Sequence, residues 1–97
     1  MMDIRQTVIF RDWLTRLKDV KGRERIAQRL VRLQAGLFGD AKFFEGIGEL
    51  RVDHGPGYRV YFVQRGPVLI ILLCGGDKST QAKDIRKAKV MLADLEF

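Results

Sequence analysis

Arg51 and Arg59 stand in two stretches that alternate apolar and polar residues, Glu49-Leu50-Arg51-Val52-Asp53 and Tyr58-Arg59-Val60-Tyr61-Phe62. Successive side chains of an extended strand point to opposite faces. If Leu50, Val52, Tyr58, Val60 and Phe62 are buried, then Glu49, Arg51, Asp53, Arg59 and Tyr61 share the other face. Two guanidinium forks and a phenol on one surface suit a phosphodiester, because the fork matches a pair of phosphate oxygens. Lys78 follows the apolar run that ends at Cys74, where a loop can turn its ammonium over the same face. The same pattern also fits an ordinary solvated strand surface, with Arg51 simply paired to Glu49 or Asp53. His54, the only histidine, sits in the turn between the two stretches. With Glu49 and an arginine it would complete a carboxylate–imidazole pair for acid–base cleavage of RNA; otherwise it is an exposed turn residue.

The stretch CGGDKSTQAKDI, Cys74 to Ile85, has the glycines, lysine and hydroxyls of a phosphate-binding loop but not their spacing. A nucleotide-hydrolase loop needs glycine directly before the lysine, so that backbone N–H groups wrap the phosphates. Here Asp77 precedes Lys78 and would face the anion. No Ser-His-Asp arrangement, clustered metal ligands or dinucleotide fingerprint occurs, so neither a cofactor nor a metal is expected. The single cysteine, Cys74, excludes an internal disulfide and reads as a small buried hydrophobe.

These residues must be positioned by a single domain, expected over residues 1–97, since a chain of this length holds one modest core. A hydrophobic share of 46% with 31% charged residues fits a globular protein. Asp3 and Arg5 interrupt any leader-like apolar region, and Pro67 to Cys74 is too short to cross a membrane, so a cytoplasmic protein is expected. Ile4 to Phe10 alternates weakly, as a short first strand. Phe10, Trp13, Leu14 and Leu17 then recur at helical spacing over residues 9–18, with Gly22 as a break. Ile26, Leu30, Leu33 and Leu37 predict a second helix over 22–35, stopped by Gly36 and Gly39. Residues 39–46 read as a loop. Strands follow over 47–53, 58–63 and 68–73, the last apolar at every position and so covered on both faces. Gly75 and Gly76 are expected to end it before a helix from Thr80 to Leu95. The fold class is α+β, in the order β-α-α-β-β-β-α, with an antiparallel-rich sheet packed on a helical hairpin.

The net charge of +6 is uneven: residues 1–38 hold nine Lys/Arg against four Asp/Glu, and the remainder nine against eight. The excess lies on the two early helices, where Arg25, Arg29 and Arg32 line one face. Such a surface raises the local concentration of a polyanion such as RNA, or of an acidic protein partner, or is solvated and no more.

Taken together, FRDWLTRLKD, RIAQRLVRLQAGLFGD, ELRVDHGPGYRVYF and LLCGGDKSTQAKDIRKA resemble the RelE/ParE toxin superfamily. Within it the resemblance is to the HigB-like, phage Gp49-like addiction module killer proteins, over nearly the whole chain. The resemblance implies a RelE-like fold and the toxin half of a type II toxin–antitoxin pair. It further implies a metal-independent endoribonuclease (an mRNA interferase) that works on the ribosome and inhibits translation. In such enzymes the substrate's own 2′-OH attacks, leaving a 2′,3′-cyclic phosphate and a 5′-OH, while arginines and lysines stabilise the phosphorane. Carried over by motif, Arg59 in GYR takes the central catalytic position, Arg51 in ELR a basic position on the preceding strand, and Lys78 in GGDKS the basic position after the last strand. Relatives have a tyrosine near the start of the final helix, where this chain has Asp84 and Ile85; Tyr61 and His54 are the substitutes at hand. Arg25, Arg29 and Arg32 would contact ribosomal RNA. The implied partners are the ribosome with its mRNA and a small helix-turn-helix antitoxin, with operator DNA reached only through that antitoxin. Two other readings stay open: a ParE-like gyrase inhibitor without catalysis, and an inactive co-repressor.

Overall fold

The computed structural model describes residues 1–95; the last two residues of the domain expected over 1–97 lie outside them. The elements are β1 (Asp3–Gln6), α1 (Val8–Arg16), α2 (Val20–Gln34), β2 (Ala41–Phe44), β3 (Ile47–Val52), β4 (Tyr58–Arg65), β5 (Leu69–Asp77), a 3₁₀ turn (Lys78–Thr80) and α3 (Gln81–Ala93). The five strands form one mixed sheet in the order β1-β5-β4-β3-β2, with only β1 and β5 parallel. The class is α+β.

Local chemistry sets where the elements begin and end. The Thr7 hydroxyl accepts from Phe10 N at 3.0 Å and donates to Leu73 O at 2.6 Å, so it caps α1 and fastens that helix to the sheet. Val8 to Phe10 therefore belong to α1, and the first strand stops at Gln6. Asp19 caps α2, its Oδ1 accepting from Gly22 N at 3.0 Å. Gly22 breaks no helix; it lies inside α2, where a Cβ would meet the Tyr58 ring at 2.6 Å. Gly36 has φ +85°, the left-handed geometry expected just past a helix.

Residues 41–44, read from sequence as loop, form the edge strand β2, paired antiparallel to β3. Glu45 and Gly46 make the connection with φ of +52° and +84°, the left-handed pair that a two-residue hairpin turn requires. Gly75 and Gly76 do not end β5, which continues to Asp77. They are glycines for lack of room: a Cβ on Gly75 would lie 2.4 Å from the Trp13 ring, and one on Gly76 would lie 1.8 Å from Asp84 Oδ2.

Two cores sandwich the sheet. Phe10, Ile26 and Leu33 from α1 and α2 pack on Leu50, Val52, Tyr58, Val60, Phe62, Ile70 and Leu72. Ala88, with Ile85, Met91 and Leu92 of α3, covers Ile47, Tyr61, Val63, Ile71, Leu73 and Cys74. Leu73 is skipped in the β4–β5 register, where Tyr61 pairs with Cys74 and Phe62 with Leu72. This bulge turns the adjacent Leu73 and Cys74 toward the same core. The strand parity expected from sequence holds, but the second face is not open: α3 covers much of it. The uncovered remainder, at the β3–β4 turn and the end of β5, is where the cations gather.

Candidate phosphate-binding site

Arg51 and Arg59 are directly paired across β3 and β4, with side chains on the face away from Leu50 and Val60. Like charges placed opposite each other repel, and the fold supplies each with its own anion. Arg51 donates through Nε (3.1 Å) and Nη2 (2.8 Å) to Asp40 Oδ1. Arg59 Nε lies 4.0 Å from Glu49 Oε2. The expected partners of Arg51, Glu49 or Asp53, are both replaced by Asp40, which comes from the segment before β2.

The turn between β3 and β4 closes the arrangement. Gly57 has φ +78°, and a Cβ there would approach Arg59 Nη1 to 3.1 Å and Lys78 Cβ to 3.7 Å. Glycine lets the turn pass between the two cations. Its carbonyl accepts from Arg59 Nη1 at 2.7 Å. Pro56 O accepts from Lys78 N at 3.4 Å, and Asp77 caps the 3₁₀ turn by accepting from Ser79 N at 2.8 Å. Arg51, Arg59 and Lys78 thus line one cleft of about 420 Å³, together with Asp40, Val52, Asp53, Gly57 and Tyr58. Asp53 is exposed, and among the described residues no cation pairs with it.

The remaining sequence candidates lie elsewhere. Tyr61 is fully buried under α3, and its phenol donates to Glu49 Oε2 at 2.9 Å. Burial first, then the Glu49 carboxylate, pushes its ionisation up, and the ring does not line the cleft. His54 turns toward the helices, its Nε2 3.6 Å from Asp19 Oδ2. The same oxygen accepts from Tyr58 OH at 2.8 Å. Burial, with the bond to Asp19, raises the Tyr58 phenol to about 12. Asp19 is pulled below the ordinary carboxylate range by the Gly22 N–H first and by Tyr58 next. This group pins the β3–β4 turn to the α1–α2 junction. Cys74 is buried as expected, and desolvation lifts its thiol to about 12, far from thiolate reactivity.

Of the helix arginines, Arg29 is engaged by the fold. Its guanidinium donates to the carbonyls of Arg51, Phe38 and Asp40, the last two at 2.9 and 3.2 Å. It buttresses the strand that carries Arg51. Arg25 and Arg32 are exposed and line a second groove with Gln28, Arg29, Val52 and Asp53. Val52 and Asp53 line both clefts, so the groove beside Arg25 and Arg32 adjoins the Arg51–Arg59–Lys78 cleft.

Three contributors carry no local signal for the site in the sequence. Asp40 lies in the 39–46 segment that reads as a loop, Gly57 is one of several turn glycines, and Gln81 is an ordinary residue at the start of a helix. Gln81 Nε2 donates to Glu49 Oε2 at 3.0 Å, a contact from the first turn of α3 that no local pattern announces.

No helix among the described residues is long and apolar enough to cross a membrane. No group of three or more His, Cys, Asp or Glu among them is arranged to hold a metal ion. No family model matches the chain. It is 50% identical over 95 residues to an uncharacterized protein of Haemophilus influenzae (strain ATCC 51907 / DSM 11121 / KW20 / Rd), a match spanning 97% of this chain and 96% of the relative. Identity of that extent over nearly all of both chains places this one in the same family as the Haemophilus influenzae protein.

Proposed function

We propose that the chain is an RNA-cleaving toxin of the RelE/HigB kind, the toxin half of a type II toxin–antitoxin pair acting on mRNA at the ribosome. The observation that carries the reading is the convergence of Arg51, Arg59 and Lys78 on one open cleft. Positive charge on adjacent strands and on the turn after β5 is what a phosphorane needs, because its charge is spread over several equatorial oxygens. In this reading the 2′-oxygen of the substrate attacks the adjacent phosphorus and the 5′-oxygen leaves. The products are a 2′,3′-cyclic phosphate and a 5′-OH, with no water consumed in the step. Arg59 sits in the middle of the cleft wall and takes the central stabilising role; Arg51 and Lys78 hold the non-bridging oxygens from either side. Tyr61 and His54 are engaged elsewhere, so the electrostatic contribution of the three cations dominates. The adjoining groove with Arg25 and Arg32 fits an RNA backbone leading into the cleft.

The experiment is induced expression followed by transcript mapping. The reading expects growth arrest with cuts inside translated frames, and expects both to vanish in Arg59→Ala while the variant still folds. DNA-damage signalling without RNA cuts would instead favour gyrase inhibition, and an absence of any growth effect would favour a co-repressor.

A further inference from the structure

Glu49 is 1% exposed, a carboxylate sealed between the sheet and α3. Isolation there would be costly, since burying a charge is tolerated only with hydrogen bonds and an opposite charge close by. One oxygen, Oε2, receives both hydrogen bonds, from Tyr61 OH at 2.9 Å and Gln81 Nε2 at 3.0 Å. The same oxygen stands 4.0 Å from Arg59 Nε. That nitrogen is buried and, among the described residues, has no hydrogen-bond partner. Arg59 is therefore held at two points: Nη1 by the Gly57 carbonyl and Nε by the negative charge behind it. Its Nη2 keeps no protein partner among the described residues, while the side chain forms part of the cleft wall. Gln81 opens α3 three positions after Lys78, so the same carboxylate tethers the turn that carries the lysine.

We propose that Glu49 is the positioning residue of the cleft: a buried negative charge, clamped by Tyr61 and Gln81, that aims Arg59 at an RNA phosphate and holds the Lys78 turn against it. This role rests on the RNA reading above. Glu49 does not touch the substrate. Its 1% exposure keeps the carboxylate away from substrate, and His54, the other half of a carboxylate–imidazole pair, is turned to Asp19.

The test uses the full chain and Glu49→Gln, which keeps the shape and an acceptor oxygen but removes the charge. Three readouts are taken: solvent exchange of the Arg59 Nε–H by NMR, affinity for a 2′-O-methyl oligoribonucleotide that cannot be cleaved, and cleavage of programmed ribosomes. Loss of one negative charge leaves oligonucleotide affinity unchanged or tighter. Misaiming of Arg59 speeds Nε–H exchange and lowers saturated cleavage by about a hundredfold. Glu49→Asp, which restores the charge, recovers part of the cleavage. An Arg59 Nε–H that exchanges in Glu49→Gln as in the wild type overturns the proposal, as does a parallel fall of affinity and cleavage. Should Glu49→Gln fail to fold, Tyr61→Phe removes one clamp while keeping the charge, and unchanged Nε–H exchange there overturns it equally. A wild type that neither binds nor cleaves RNA overturns the RNA reading itself, a result distinct from wild-type cleavage unaltered in the variants.

Discussion

Removing the carboxylate of Asp40 should strengthen RNA binding. Asp40 Oδ1 accepts two donors of the Arg51 fork, at 3.1 and 2.8 Å, so it occupies the place a phosphate oxygen would take. The Arg51 and Asp40 side chains are 39% and 55% exposed, which makes this a surface ion pair. Such pairs are worth about 0.2–1 kcal/mol, screened by salt. An RNA phosphate must break that pair; in Asp40→Asn the cost is gone, and the same free energy appears as about 1.4- to 5-fold tighter binding. Stability changes little, because the contacts of Asp40 with Arg29 and with Arg51 N use its backbone carbonyl and survive the substitution. The assay is fluorescence anisotropy with a 2′-O-methyl oligoribonucleotide at low and moderate salt, the gain shrinking as salt rises. Weaker binding by Asp40→Asn would mean that Asp40 holds Arg51 in its binding position instead of competing for it.

Three cleft cations facing an RNA strand contribute a slope of about −2 to log affinity against log salt, at about 0.7 per neutralised phosphate. Lys78→Ala should lower the magnitude of the measured slope by about 0.7, and an unchanged slope places Lys78 off the RNA path. Gly76→Ala sets a Cβ 1.8 Å from Asp84 Oδ2 and displaces the carboxylate that accepts from the Thr80 hydroxyl. Overpacking of this kind costs about 1–3 kcal/mol. Thermal denaturation should show a drop of several degrees; an unaltered Tm would mean that the glycine is there for turning and not for space. Asp19 titrates below its ordinary value of 3.8 in the folded chain, so the unfolded chain takes up its proton first as pH falls. Its stabilisation is complete above that value and is lost as pH drops through the folded pKa. Asp19→Asn should flatten the acid limb of stability measured by urea unfolding, whereas an identical limb would place acid sensitivity in other carboxylates.

Local periodicity made most of this fold legible. The helical stripe Ile26, Leu30, Leu33 located α2, and the alternation through Leu50, Val52, Tyr58, Val60 and Phe62 placed Arg51 and Arg59 on one face of the sheet. What escaped were long-range facts. The helix expected from Thr80 to Leu95 carries an apolar stripe at Ile85, Ala88 and Leu92, but no pattern within it says which side of the sheet it covers. Tyr61 therefore reads from sequence as part of an open surface, although it is buried beneath α3. Edge strand β2 has four residues, too few for a period, and its turn places Glu45 at positive φ where glycine or asparagine is the usual signal. Glycines 75 and 76 carry the ambiguity of their type: freedom to turn and lack of bulk look alike in sequence. Trp13 and Asp84, distant along the chain, decide for the second. The partner of Arg51 escapes the sequence for a related reason: Asp40, and not the neighbouring Glu49 or Asp53, reaches it through the β2–β3 pairing.

The claim on which the functional account stands is that Arg51, Arg59 and Lys78 stabilise an in-line attack by the substrate's own hydroxyl. Its most direct measurement is the chemistry of the RNA ends made by the purified chain on ribosomes programmed with a defined mRNA, and with the same mRNA bearing a 2′-deoxynucleotide at the cut. Attack by the substrate's 2′-OH gives 2′,3′-cyclic phosphate and 5′-OH ends from the first, and no cut from the second or from Arg59→Ala. Cleavage of the 2′-deoxy substrate, or 3′-OH ends, would contradict it.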